Sequence, residues 1–164
     1  MDYDAQWPAR FRRESRGIRN ALGDVALAVE HVGSTAVPGL AAKPVIDIIL
    51  TVADSAAETS YFPWLETAGY RFAVREPHWY EHRMFKDPPG DVNLHVFSAG
   101  CPEIARMVDF RDWLRRNADD RDLYAQVKRE LAQRKWTAVQ DYADAKSPVI
   151  SKILARLSQS RERG

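Results

Sequence analysis

The segment Glu30-His31-Val32-Gly33-Ser34-Thr35-Ala36-Val37-Pro38-Gly39, continued by Lys43-Pro44-Val45-Ile46-Asp47-Ile48-Ile49, joins two apolar runs through a turn-rich connection. Ala26 to Val32 predicts a strand, and the residues from Gly33 to Leu40 predict the turn that ends it. Val45 to Val52 is rich in β-branched side chains and predicts a second strand, with Pro44 at its first position, where a missing donor matters least. Asp47 interrupts that strand. Alternation sets it on one face with Val45 and Ile49, while Ile46, Ile48 and Leu50 face the other way. A carboxylate at such a place is paired, binds a cation or faces a polar cleft, and the structural alternative is an ion pair with Lys43 or another base. A strand running into Gly33-Ser34-Thr35 also brings backbone N–H groups and hydroxyls to one point, an arrangement suited to phosphate oxygens.

Outward from this segment, Phe11, Ile18 and Leu22 recur at helical spacing and predict an amphipathic helix over Ala5 to Leu22, with Asp4 at its cap and Pro8 near its start. Asp54 or Ser55 is placed to cap a helix over Ala56 to Ala68, stopped by Gly69. Strands are expected at Tyr70 to Val74, Tyr80 to Phe85 and Val92 to Phe97. The turn chemistry of Lys86-Asp87-Pro88-Pro89-Gly90-Asp91 favours a hairpin between the last two. Beyond Gly100 the periodicity is helical, with one helix marked by Ile104, Met107, Val108 and Trp113 or Leu114 and a second by Leu123, Val127 and Leu131. A third starts near Val139 and is broken or restarted at Ser147-Pro148. The expected architecture is α/β of the α+β type: a mixed β-sheet with flanking helices and a helical C-terminal third, in a single domain over residues 1–164.

The chain has 164 residues, of which 45% are hydrophobic and 29% charged, an ordinary globular balance that argues against disorder and against a membrane protein. The longest apolar run, Val45 to Val52, is far shorter than the roughly 20 residues a membrane span requires. Met1 to Asp4 carries no apolar signal core, and Cys101 is the only cysteine, so a reducing, cytoplasmic setting is expected. The 24 basic and 23 acidic residues give no net field that would draw nucleic acid. From Arg111 to Arg134 bases alternate with acids, which predicts a solvated helical face rather than a nucleic-acid stripe. The five tryptophans form no stacking array and are expected in packing roles.

The run Gly33-Ser34-Thr35-x-Val37-Pro38-Gly39-Leu40-x-x-Lys43-Pro44-x-Ile46-Asp47 resembles the signature of the GrpB-like family of the nucleotidyltransferase superfamily. The similarity extends to Tyr3-Asp4-x-x-Trp7-Pro8, Asn93-Leu94-His95-Val96, Phe110-Arg111-Asp112-Trp113-Leu114 and Tyr142-x-x-Ala145-Lys146, essentially the whole chain. The resemblance implies a minimal nucleotidyltransferase fold whose Gly-Ser turn holds a triphosphate. In active members of that superfamily two carboxylates one position apart on a strand, with a third from a neighbouring strand, bind divalent metal for nucleotidyl transfer.

Asp47 matches the first carboxylate, but the same-face position two residues on is Ile49. The third position falls on the strand with Asp91, Asn93 and His95, where Asn93 or His95 stands instead of an acid. The site expected from the resemblance therefore has Gly33, Ser34, Thr35, Lys43 and Lys146 on the phosphates of a nucleotide or another phosphorylated small molecule. Asp47 and His95 are its candidate catalytic groups, with a single magnesium ion at most, held by Asp47. A one-metal site, a metal-free phosphate pocket and a degenerate enzyme are all compatible with that pattern. His31 is placed either to touch ligand or to brace the turn. His78 and His82 do not form a zinc site, because four residues of loop and strand do not align two side chains. Lys146 shares a helical face with Tyr142, Val149 and Ile153, from which it either snorkels to solvent or reaches an anion.

Overall fold

The structure is a computed structural model that describes residues 1–133 and 139–163. Two compact units, Met1–Val108 and Asp109–Gly164, divide the chain.

The first unit opens with α1 (Trp7–Leu22), then β1 (Ala28–Val32), β2 (Ile46–Val52), α2 (Phe62–Thr67), β3 (Arg71–Glu76), β4 (His82–Lys86) and β5 (Val92–Ser98). The strands form one mixed sheet in the order β1-β2-β5-β4-β3. β2 runs parallel to β5, and the remaining neighbours are antiparallel. β2 is an interior strand because its side chains are apolar on both faces: every residue in it is buried except Asp47. One face carries Ile46, Ile48, Leu50 and Val52 into the main core beside Leu94, Val96, Phe85, Ile18 and Leu65. Ile49 lies on the opposite face with Val32 and Phe97, under Cys101 and under Ile104, Met107 and Val108 of α3 (Pro102–Arg116). The alternation expected around Asp47 is present from Ile46 to Leu50, while Val45 lies just before the strand.

The expected hairpin is there, and Asp87 builds its turn by accepting from the Val92 N–H at 2.9 Å. The helix expected over Ala56 to Ala68 is shorter. Its first part is a 3-10 turn over Glu58–Ser60, and the α-helix starts only at Phe62. Pro63 is the reason, since it lacks an N–H and is tolerated in a helix only within the first turn. Gly69, at φ +101°, ends the helix as expected.

The second unit holds the end of α3, α4 (Ala118–Ala132) and α5 (Val139–Arg163). The break expected at Ser147-Pro148 is absent: α5 runs through Pro148. Val149, Ile153 and Leu157, spaced four apart just beyond the proline, are all buried, and that stripe holds the helix despite the missing donor. The charged stretch is not wholly a solvated face. Asp120 is buried, accepting from Trp113 Nε1 at 2.8 Å and from the guanidinium of Arg156, and Arg111 is buried as well. Arg134, Trp136 and the side chain of Tyr142 lie outside the described residues. No helix among the described residues is long and apolar enough to cross a membrane.

Candidate functional site

At the end of β1, Gly33 adopts φ +77°, a conformation that L side chains rarely enter, and the chain folds into one 3-10 turn over Ser34–Ala36. The turn packs against β2 so closely that a Cβ at position 33 would fall 2.7 Å from Asp47 Oδ2. The lone carboxylate and the Gly33-Ser34 backbone therefore share one place, where the Asp47 side chain stays 29% exposed.

Two residues hold this turn. Thr35 is buried, and its hydroxyl donates to the Val45 carbonyl at 3.1 Å. His31 Nε2 lies 2.9 Å from the same hydroxyl. Because the hydroxyl proton is committed to Val45, His31 must donate, which fixes its Nε2–H tautomer. The His31 ring stacks on Phe11, 5.0 Å between centroids. Of the two roles open to His31, bracing the turn is the one its contacts describe. Thr35 was expected on phosphate, but its hydroxyl faces inward and ties the turn to the start of β2. Ser34 is half-buried at the turn, and Lys43 is exposed in the connection before β2. Lys146 belongs to α5 in the second unit, where it is half-buried.

On β5, Asn93 stands directly across from Asp47 and His95 across from Ile49. Asn93 Nδ2 and His95 Nε2 both lie 3.3 Å from Asp47 Oδ1. Asn93 Oδ1 is buried with no hydrogen-bond partner among the described residues. Exchanging the two amide atoms would turn an oxygen on the carboxylate, so the donor toward Asp47 is the better assignment.

Beyond His95 the line of contacts continues away from Asp47. His95 Nδ1 is 3.0 Å from His82 Nε2, and His82 Nδ1 is 2.8 Å from Glu76 Oε1. Glu76, His82, His95 and Asp47 thus cross β3, β4, β5 and β2 on one face of the sheet. Burial holds the His82 imidazole below the ordinary histidine pKa, against the upward pull of its bond to Glu76. Neither Glu76 nor His82 is prominent along the chain. The signal for His82 is the hairpin register, which pairs Met84 with His95 and so makes His82 its diagonal neighbour. Arg83 is buried on the other face, bonded to Glu58 and Glu81.

The donors do not suit a resident pair of divalent ions. The position one alternation from Asp47 is Ile49, fully buried between Val32 and Phe97. The neighbours on β5 approach Asp47 as an amide and an imidazole, not as a second carboxylate. Among the described residues, no group of three or more His, Cys, Asp or Glu could hold a metal ion.

A mixed sheet with flanking helices and a glycine turn set against a strand carboxylate defines a nucleotidyltransferase-like fold. The structure of Cid1, described as an RNA terminal uridylyl transferase, superposes on it with a TM-score of 0.59 at 14% identity, covering 82% of this chain and 42% of Cid1. The GrpB protein family model matches residues 1–156, and the chain belongs to that family. It is 60% identical to the UPF0157 protein BH1888 of Halalkalibacterium halodurans over 95% of this chain and 80% of that protein. The crystal structure of the conserved protein GrpB from Enterococcus faecalis matches with a TM-score of 0.86 at 29% identity, covering 98% of each chain.

Proposed function

We propose that the chain binds a nucleoside triphosphate or another phosphorylated small molecule at the Gly33-Ser34 turn, and transfers a nucleotidyl group from it to a small hydroxyl-bearing acceptor. The observation that carries this reading is the contact between the turn and Asp47, which leaves 2.7 Å for any atom added to Gly33. Only a glycine lets backbone and carboxylate meet so closely, and the carboxylate remains partly open to solvent. Phosphate oxygens beside Asp47 require positive charge. Lys43 supplies some, and magnesium would enter as the counter-ion of the phosphates, keeping most of its waters. His95 and Asp47 are the acid–base groups for the acceptor hydroxyl. The nucleotidyltransferase fold of Cid1 supports the reaction class.

Ile49 favours a second reading, a phosphate-binding module without transfer chemistry. Titration calorimetry of the full chain with ATP and with UTP, each with and without magnesium, separates the two. Saturable, magnesium-dependent binding weakened about tenfold or more by Asp47→Asn supports the enzyme. Binding indifferent to both metal and Asp47 supports the module, and absence of binding under every condition overturns both.

A further inference from the structure

The row Glu76, His82, His95, Asp47 has a property that follows from counting protons. It contains three contacts between hydrogen-bonding atoms, and each needs one proton. The two carboxylates at its ends contribute none, and two neutral imidazoles contribute one each. One of the three contacts therefore lacks a proton whenever both rings are neutral. The two rings meet end to end: their centroids are 5.2 Å apart while the facing nitrogens are 3.0 Å apart, so a proton between them lies on the line that joins the rings.

The lengths identify the contact that goes without. Charge-assisted N–H to carboxylate bonds are about 2.7–2.9 Å long. The Glu76 contact, at 2.8 Å, has that length, and the Asp47 contact, at 3.3 Å, does not. His82 is buried, with the ring of Trp79 edge-on at 5.1 Å and Phe97 at 4.9 Å, surroundings that disfavour a charged ring. Both imidazoles then carry their protons on Nδ1, pointing toward Glu76, and His95 presents the Nε2 lone pair beside Asp47. Glu76, at the other end, is 46% exposed.

We propose that Glu76 and His82 are positioning residues that fix the His95 tautomer, so that Nε2 is the base facing the Asp47 site and the row is a proton exit to solvent at Glu76. This rests on the transfer reading given above. In the step it serves, an acceptor O–H bond breaks as the oxygen forms its bond to the α-phosphorus, the bond from that phosphorus to the bridging oxygen breaks so that pyrophosphate leaves with the electron pair, and His95 Nε2 takes the proton. His95 Nδ1–H passes to His82 Nε2, and His82 Nδ1–H passes to Glu76 and on to water. One proton enters, one leaves, and the charge of the row is unchanged. The rings finish in the opposite tautomer and are reset when protons return along the same contacts.

Long-range proton–nitrogen correlation spectra of the full chain, labelled with 15N in its histidines and backbone amides, test this without any substrate. The expected wild-type result is His82 and His95 both in the Nδ1–H form. Glu76→Gln lets an amide N–H donate to His82 Nδ1, which reverses the row, so His95 changes to the Nε2–H form although Glu76 does not touch it. A wild-type His95 in the Nε2–H form overturns the proposal, and that measurement depends on no variant. A His95 tautomer unmoved by Glu76→Gln, in a variant whose amide spectrum is otherwise native, overturns it equally. ATP with magnesium added to the wild-type sample reports separately at the Gly33 and Ser34 amides. Unmoved amides there count against the binding reading and leave the tautomer result standing.

Discussion

Asp47 leaves no room for a side chain at Gly33: a Cβ built there meets Oδ2 at 2.7 Å and the Asp47 Cβ at 3.2 Å. Position 33 also sits at φ +77°, so Gly33→Ala combines a strained backbone with a steric clash. The expected cost is about 1–3 kcal/mol in urea unfolding, together with loss of the ligand response at the turn. Gly33→Ala combined with Asp47→Gly, which removes the clashing atoms, should recover part of the lost stability. A single variant as stable as wild type would show that the turn and β2 are free to separate.

The Thr35 hydroxyl satisfies two groups at once, the Val45 carbonyl and the His31 imidazole. Thr35→Val keeps the shape and leaves both without that partner, in a buried setting where each orphan costs about 1–3 kcal/mol. Thr35→Ser restores the hydroxyl and should recover most of the loss. Thermal unfolding of the three proteins measures this, and equal midpoints for Val and Ser would show that the hydroxyl does not hold the turn.

β2 was readable along the chain because its apolar run is broken only once, at Asp47, and the facing turn because Gly33, Pro38 and Gly39 cluster there. What could not be read depends on contacts between strands or helices. Along the chain the histidine near His82 is His78, whereas its partners in the fold are Glu76 and His95 across the strands. That pairing exists only once the turn at Lys86 to Asp91 has set the register. Asp120 looked solvated among its charged neighbours, but a buried carboxylate was already paired with Trp113 and Arg156. Pro63 shortened a helix and Pro148 did not break one, because a proline's effect depends on its place in the helix and on the burial of the turns that follow it.

Glu58 receives Arg75 at 2.6 Å and Arg83 at 2.7 Å. The hydrogen bond from Arg75 is the largest influence, and with that from Arg83 it lowers the carboxyl pKa to about 2, against the opposing effect of burial. A carboxyl lowered on folding contributes stability that is complete above its unfolded value of 4.5 and disappears as pH falls toward 2. Glu58→Gln should therefore be less stable than wild type at pH 7, and the gap should close between pH 4.5 and 2. Urea midpoints of the two proteins across that range check it, and a gap independent of pH would assign the loss to packing instead of charge.

Tyr61 is fully buried beneath β4, its ring edge-on to Phe85 and its hydroxyl donating to the Ser55 carbonyl at 2.5 Å. Burial pushes its pKa up to about 12, with Arg83 nearby acting in the opposite direction. An acid whose pKa rises on folding penalises the native state once the unfolded chain ionises. The native advantage is intact below pH 10, the unfolded value, and falls as pH climbs toward 12. Tyr61→Phe removes that ionisation but also the bond to Ser55, so it should be less stable than wild type at pH 7 by about 1–2 kcal/mol. The deficit should narrow above pH 10. Unfolding midpoints at pH 7 and at pH 11 measure the two effects together, and a deficit that stays constant would show that folding does not raise the Tyr61 pKa.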